Sequence, residues 1–304
     1  MEKAVLRKLT ILCVICAAAC FALWGVMAIR DGKREWKPYQ AGYKALLMGM
    51  IGQDSNPALY QRIAGMQPEI KQVVIEEWQA VDRCTTCHLG IEDPLFAGAT
   101  QPFTTHPYPQ LLKQHPVEKF GCTICHGGQG RSTTYRGAAH RTIAHWPDPM
   151  VEKGLIQSRC GICHKEFEAI GAGKLIEGRQ LFKEMHCAGC HQIERVGGDV
   201  GPVLSAFADK DPGNFSYANV DGVRSKQNWV REHFKNPQKI TPDSPMRPYP
   251  MSERQIECLA SYVLSLSQRV FPRSFTPKAG LGPSRVDTAT EKVTASSKAK
   301  GENP

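Results

Sequence analysis

The pentapeptide C-x-x-C-H occurs four times in this 304-residue chain, as Cys84-Thr85-Thr86-Cys87-His88, Cys122-Thr123-Ile124-Cys125-His126, Cys160-Gly161-Ile162-Cys163-His164 and Cys187-Ala188-Gly189-Cys190-His191. No other feature restricts the possible folds so strongly. Two thiols three positions apart can add across two porphyrin vinyl groups, and the histidine that follows is then placed under the iron, which is the attachment chemistry of c-type haem. Structural zinc also uses C-x-x-C pairs. It has no reason to require a histidine after the second cysteine every time, and the chain has only 10 histidines. Four covalently bound c-type haems are therefore expected. Their thioether anchors are Cys84, Cys87, Cys122, Cys125, Cys160, Cys163, Cys187 and Cys190, and their proximal iron ligands are His88, His126, His164 and His191.

Eight of the 12 cysteines are used in this way, which leaves little room for a disulfide framework. Cys13, Cys16 and Cys20 lie in an apolar run, and Cys258 falls on an expected helix, where a thiol acts as a small buried hydrophobe. The formal charge of +9 would elsewhere invite a nucleic-acid partner. Here the propionates of four haems offset most of it, so no nucleic acid is expected.

Residues 9–29 carry no charge and are long enough to cross a bilayer as a helix. Basic residues flank the run on both sides, so charge alone does not orient it. Haem attachment takes place on the exported side, which puts the N-terminus in the cytoplasm. The expected location is a bacterial inner membrane, crossed once, with the bulk of the chain periplasmic. A cleaved signal peptide, or lipidation at Cys20, would be followed by polar sequence, but Phe21 to Ile29 stays apolar.

The expected fold class is mostly α with extensive irregular structure. It divides into a transmembrane anchor (1–30), a helical connector (31–83), a trihaem region (84–173), a monohaem helical domain (174–270) and a flexible tail (271–304). In the connector, Ile70, Val73, Val74, Trp78 and Val81 recur at three- and four-residue steps after Pro68, the pattern of an amphipathic helix. The first three motifs begin at equal intervals of 38 residues; pieces of that size have a radius of gyration of about 9 Å when compact. The stretch is rich in Gly and Pro, so the haems themselves are expected to supply most of its core. The tail has few large apolar residues and should be disordered or lie on a partner.

The fourth motif opens a different kind of domain. Gly178 and Phe182 precede it, Gly201-Pro202 follows it, Ser244-Pro245-Met246 lies in a Pro-rich loop, and Ser252 caps a final helix bearing Ile256, Leu259, Tyr262, Val263 and Leu266. In that order, residues 174–270 resemble a class I cytochrome c. The resemblance implies that Pro202 helps hold His191 and that Met246 is the sixth iron ligand, with Met251 as its rival. Residues 208–224 make a longer loop than small members of that family carry.

For the other three irons, His106, His115 and His140 are the expected distal ligands, with His145 in reserve; which histidine serves which haem stays open. His186 and His233 are expected to have structural or solvent roles. His115-Pro116, Phe120-Gly121-Cys122 and His126-Gly127-Gly128-Gln129-Gly130 resemble the haem region of membrane-anchored multihaem cytochromes that accompany quinol-oxidising b-type cytochromes. That resemblance implies an electron-transfer subunit rather than an enzyme. Its partners would be the membrane, a b-type cytochrome or other quinol-oxidising integral membrane subunit, and a periplasmic electron acceptor. The competing functions are a haem reductase or peroxidase with one open iron, and a self-contained quinol dehydrogenase. The latter holds its first haem against the bilayer, whereas 54 residues separate Ile29 from Cys84 here.

Overall fold

The apolar run forms one helix, α1 (Glu2–Gly32), whose large side chains face outward, Phe21 at 75% and Trp24 at 69% exposure. In this computed structural model, which describes residues 2–140, 143, 146 and 148–275, α1 is the single described helix long and apolar enough to cross a membrane. Helix α2 (Trp36–Ile51) begins four residues later and packs on α3 (Pro57–Ala64). Asn56 starts α3 by accepting a hydrogen bond from the Leu59 amide at 3.1 Å, and Pro57 at its first position costs no hydrogen bond there.

The helix expected after Pro68 is not formed. Residues Val73–Ile75 (β1) and Ala80–Asp82 (β2) pair antiparallel instead, with Val73 opposite Asp82 and Ile75 opposite Ala80. Val73-Val74-Ile75 is β-branched throughout, which stiffens χ1 and favours a pleated strand. Gln79 takes a positive φ of 49° and closes the turn. Ile75 is buried while Val74 points out at 56% exposure, so the period is two and not 3.6.

The stretch carrying the first three motifs is built from short pieces: α4 (Pro109–Gln114), α5 (Val117–Phe120), α6 (Thr123–His126) and α7 (Gln157–Cys163), joined by turns. Between Cys84 and Met150, Phe96, Val117 and Ala139 are its buried apolar side chains among the described residues. A region with so little apolar core of its own needs another apolar body to fold around.

The contiguous hydrophobic core is centred on the last domain and joins Leu155, from the stretch before it, to Leu175, Leu181, Phe182, Phe207, Val230, Ile256, Leu259 and Val263. It forms where α8 (Gly173–Glu184) crosses α11 (Glu253–Ser265), with α9 (Lys226–Lys235) and the short α10 (Pro237–Ile240) alongside. Gly178 makes the crossing possible: a Cβ there would sit 2.1 Å from the Cys258 carbonyl oxygen. The expected cap of α11 is present as a full capping box, with Ser252 Oγ accepting from the Gln255 amide and the Gln255 side chain accepting from the Ser252 amide at 2.9 Å. The fold is mostly α, as the sequence implied.

The first residues of the tail pack rather than wander. Phe275 is 5% exposed, Phe271 stacks on Trp78 at 5.3 Å, and Phe275 meets Phe120 edge-on at 5.0 Å. Residues 276–304 lie outside the described residues.

Candidate haem sites

All four motifs close in the same way. In each, the histidine amide donates to the carbonyl of the first cysteine: His88 to Cys84 at 3.0 Å, His126 to Cys122 at 2.9 Å, His164 to Cys160 at 2.8 Å and His191 to Cys187 at 2.9 Å. One helical turn thus brings two thiols and an imidazole to a common side, which is the local geometry a thioether-linked porphyrin needs.

The distal candidates meet the motif histidines one to one. The ring centroids of His88 and His140 are 5.9 Å apart, those of His126 and His106 6.2 Å, and those of His164 and His115 6.0 Å. Imidazoles packed on one another would be much closer. Two imidazole nitrogens each about 2 Å from a shared metal put the ring centroids about 6 Å apart, so each gap fits an iron. Nδ1 of His115 donates to Leu111 O at 3.2 Å, and Nδ1 of His106 donates to Tyr108 O at 3.2 Å. With Nδ1 engaged, Nε2 is left as the metal-facing atom. Burial is the main influence on His88, His106, His126, His140 and His164 and pushes each below the usual imidazole range, toward the neutral form that ligates. Tyr135 stacks on His140 at 4.8 Å and 8°. His145 lies outside the described residues.

The pairing crosses the chain order. His106 precedes its partner's motif, His115 reaches past the second motif to the third, and His140 reaches back to the first. The attachment sites nevertheless follow one another in space. The sulfurs of Cys84 and Cys122 lie within 4.8 Å of each other. Burial, followed by the charges of Cys160 and Cys163, pushes the Cys125 thiol up to about 12, so the second and third sites adjoin, and α6 packs on α7. The third site abuts the last domain through α7 on α11; a Cβ at Gly161 would meet the Ser265 side chain at 2.5 Å, and Lys165 Nζ donates to Ser267 O at 3.1 Å.

The separation of 54 residues between Ile29 and Cys84 misleads about distance. The connector doubles back, and Gln40 Nε2, four residues into α2, donates to Thr86 O inside the first motif at 3.0 Å. Glu35 accepts from the Tyr135 amide at 2.7 Å, beside His140. The first site therefore adjoins the end of α1.

At the fourth motif, His191 Nδ1 donates to Pro202 O at 2.9 Å, the contact expected of that proline. A Cβ at Gly201 would lie 2.6 Å from the imidazole, so only glycine lets the chain pass its ring. Met246 packs against the core cluster, with its carbonyl held by Gln238 Nε2 at 2.6 Å; Met251 packs against the same cluster. His233 was expected to be solvent-facing or structural. It stacks on Trp229 at 4.7 Å and 10°, its buried Nδ1 has no partner among the described residues, and burial together with the charge of His191 pushes it down to about 4. A buried polar atom on the His191 side with no protein partner suits a site shaped for a polar-edged cofactor. Asp82, buried against the first two motifs, carried no sequence signal at all.

A proximal histidine oriented by a proline carbonyl, two adjacent thiols, and a glycine-mediated crossing of first and last helices define a c-type cytochrome domain. Residues 175–267 match the cytochrome c family. Cytochrome c-551 of Stutzerimonas stutzeri is 34% identical over 91 residues, 30% of this chain and 77% of that protein. Cytochrome c-551 of Ectopseudomonas mendocina is 33% identical over 90 residues, 29% of this chain and 96% of that one. A cytochrome c oxidase subunit 2 of Alkalihalophilus pseudofirmus is 27% identical over 161 residues, so this chain spans 45% of its length. No solved structure matches. The chain belongs to the cytochrome c family, binds haem c covalently and carries electrons.

Proposed function

We propose that the chain is a membrane-anchored tetrahaem cytochrome, with bis-histidine iron at the first three motifs and His191/Met246 at the fourth. It receives electrons from a quinol-oxidising b-type membrane partner and delivers them to a periplasmic acceptor. The observation that carries this reading is the set of three imidazole pairs about 6 Å apart, each joining one C-x-x-C-H histidine to one distal histidine. An iron with both axial positions filled passes electrons and leaves no position for a substrate, so no catalytic residue is assigned. Residues 9–29 serve as the anchor. Entry is at the His88/His140 site, which adjoins the end of α1 through Gln40 and Glu35. Exit is at the His191 site, because thioether sulfur favours ferrous iron and gives the highest potential.

Purification in mild detergent tests the whole reading. The expected result is a chain heavier than its polypeptide by four haems, retaining residues 9–29 and co-migrating with a quinol-reducible b-type subunit. Three or fewer haems, or a native N-terminus beyond the apolar run, would overturn it. The nearness of the first site to α1 also favours a second reading, in which the chain oxidises quinol unaided. Reduction of the isolated chain by a short-chain quinol, with no other subunit present, would select that alternative.

A further inference from the structure

Asp82 is 1% exposed and closes the second strand of the hairpin two residues before the first motif. Its carboxylate accepts three backbone hydrogen bonds: Oδ1 from Cys84 N at 3.0 Å, and Oδ2 from Cys122 N and Thr123 N, both at 2.8 Å. One side chain thereby ties the start of the first haem motif to the start of the second. Gly121 is the residue that permits this. A Cβ there would lie 3.0 Å from the carboxylate, and its φ of +61° is one that side chains resist. Burial pushes its carboxyl up, but the amide hydrogen bonds favour the ionised form and together hold it below the usual carboxylate range. Its hydrogen bonds come from amides rather than from a cation.

We propose that Asp82 is a positioning and potential-setting residue shared by the first two haem sites, holding their attachment turns together and stabilising the ferric state at both. A desolvated fixed anion favours the more positive form of a nearby redox centre. The two sites nearest the membrane would then have the lowest potentials, and transfer toward the last domain would be downhill. The inference rests on the first and second motifs carrying haem, as proposed above.

The test uses the full-length chain in detergent, with haem counted by mass first. A wild-type protein lacking either haem would defeat the tetrahaem reading rather than this one. With four haems present, Asp82→Asn and Asp82→Ser remove the charge. We expect four attached low-spin haems and an increase of about tenfold in the reduction equilibrium of the first two, 59 mV upward for a one-electron couple, with the other two unmoved. Four unmoved potentials at full haem content would overturn the proposal, as would a uniform shift of all four. Should neither neutral variant attach its haems, Asp82→Glu supplies the reading. A displaced carboxylate must move the potentials of those two sites alone, and unmoved potentials there would also overturn it.

Discussion

Replacing His140 by alanine removes one of two imidazoles whose centroids are 5.9 Å apart, and the effect should fall on the haem held by Cys84 and Cys87. In sequence, His140 lies 14 residues after His126 and 52 after His88, so proximity along the chain would assign it to the wrong site. The interplanar angles make the two assignments spectroscopically distinct. His88 and His140 are inclined at 32°, whereas His106 and His126 are at 75° and His115 and His164 at 71°. Nearly parallel imidazoles split the iron d orbitals and give an ordinary rhombic low-spin ferric signal. Nearly perpendicular ones leave two of those orbitals close in energy and give a strongly anisotropic signal at low field. Wild-type protein should therefore show one bis-histidine centre of the first kind and two of the second. His140→Ala should erase the rhombic bis-histidine signal, leave both anisotropic ones intact, and create one carbon monoxide-binding haem per chain of four. Covalent attachment should survive, because Cys84, Cys87 and His88 are untouched. Loss of an anisotropic signal instead, or no new carbon monoxide binding, would refute the pairing.

Two further outcomes bear on the last domain. Gly178→Ala would drive a methyl against the Cys258 backbone, which cannot swing aside, so α8 and α11 must separate. A loss of about 1–3 kcal/mol is expected, read as a lower melting midpoint by circular dichroism of the whole protein; an unchanged midpoint would mean the helices do not cross there. Met246→His should lower the potential of a single haem and abolish the weak sulfur-to-iron charge-transfer band, with Met251→Leu nearly silent. Persistence of the band in Met246→His would move the ligand assignment elsewhere.

The chemistry of attachment was legible in the sequence because it is local. Two cysteines and a histidine within five residues are joined by one turn, and the hydrogen bond from histidine amide to first cysteine carbonyl needs nothing from outside that turn. The cap at Ser252 was legible for the same reason, since Gln255 is its own helix neighbour. So was Pro202 against His191, where the resemblance to class I cytochromes supplied the contact that spacing alone does not. The connector was less legible. Apolar steps of three and four residues suggested a helix over 68–81, but the β-branched run and the demand that Asp82 reach two motif turns favour a hairpin. Four distal candidates for three irons could be counted, yet not matched. In the tetrahaem reading proposed above, matching is decided by which loops can close around each metal, and closing a longer loop costs only a little more entropy. His115 can therefore pass over the second motif to reach the third, and His140 can return to the first. The same tertiary closure brings Gln40 from beside the anchor to the first motif across 46 residues of chain, a contact that depends on where the backbone folds back and leaves no mark on the residues in between.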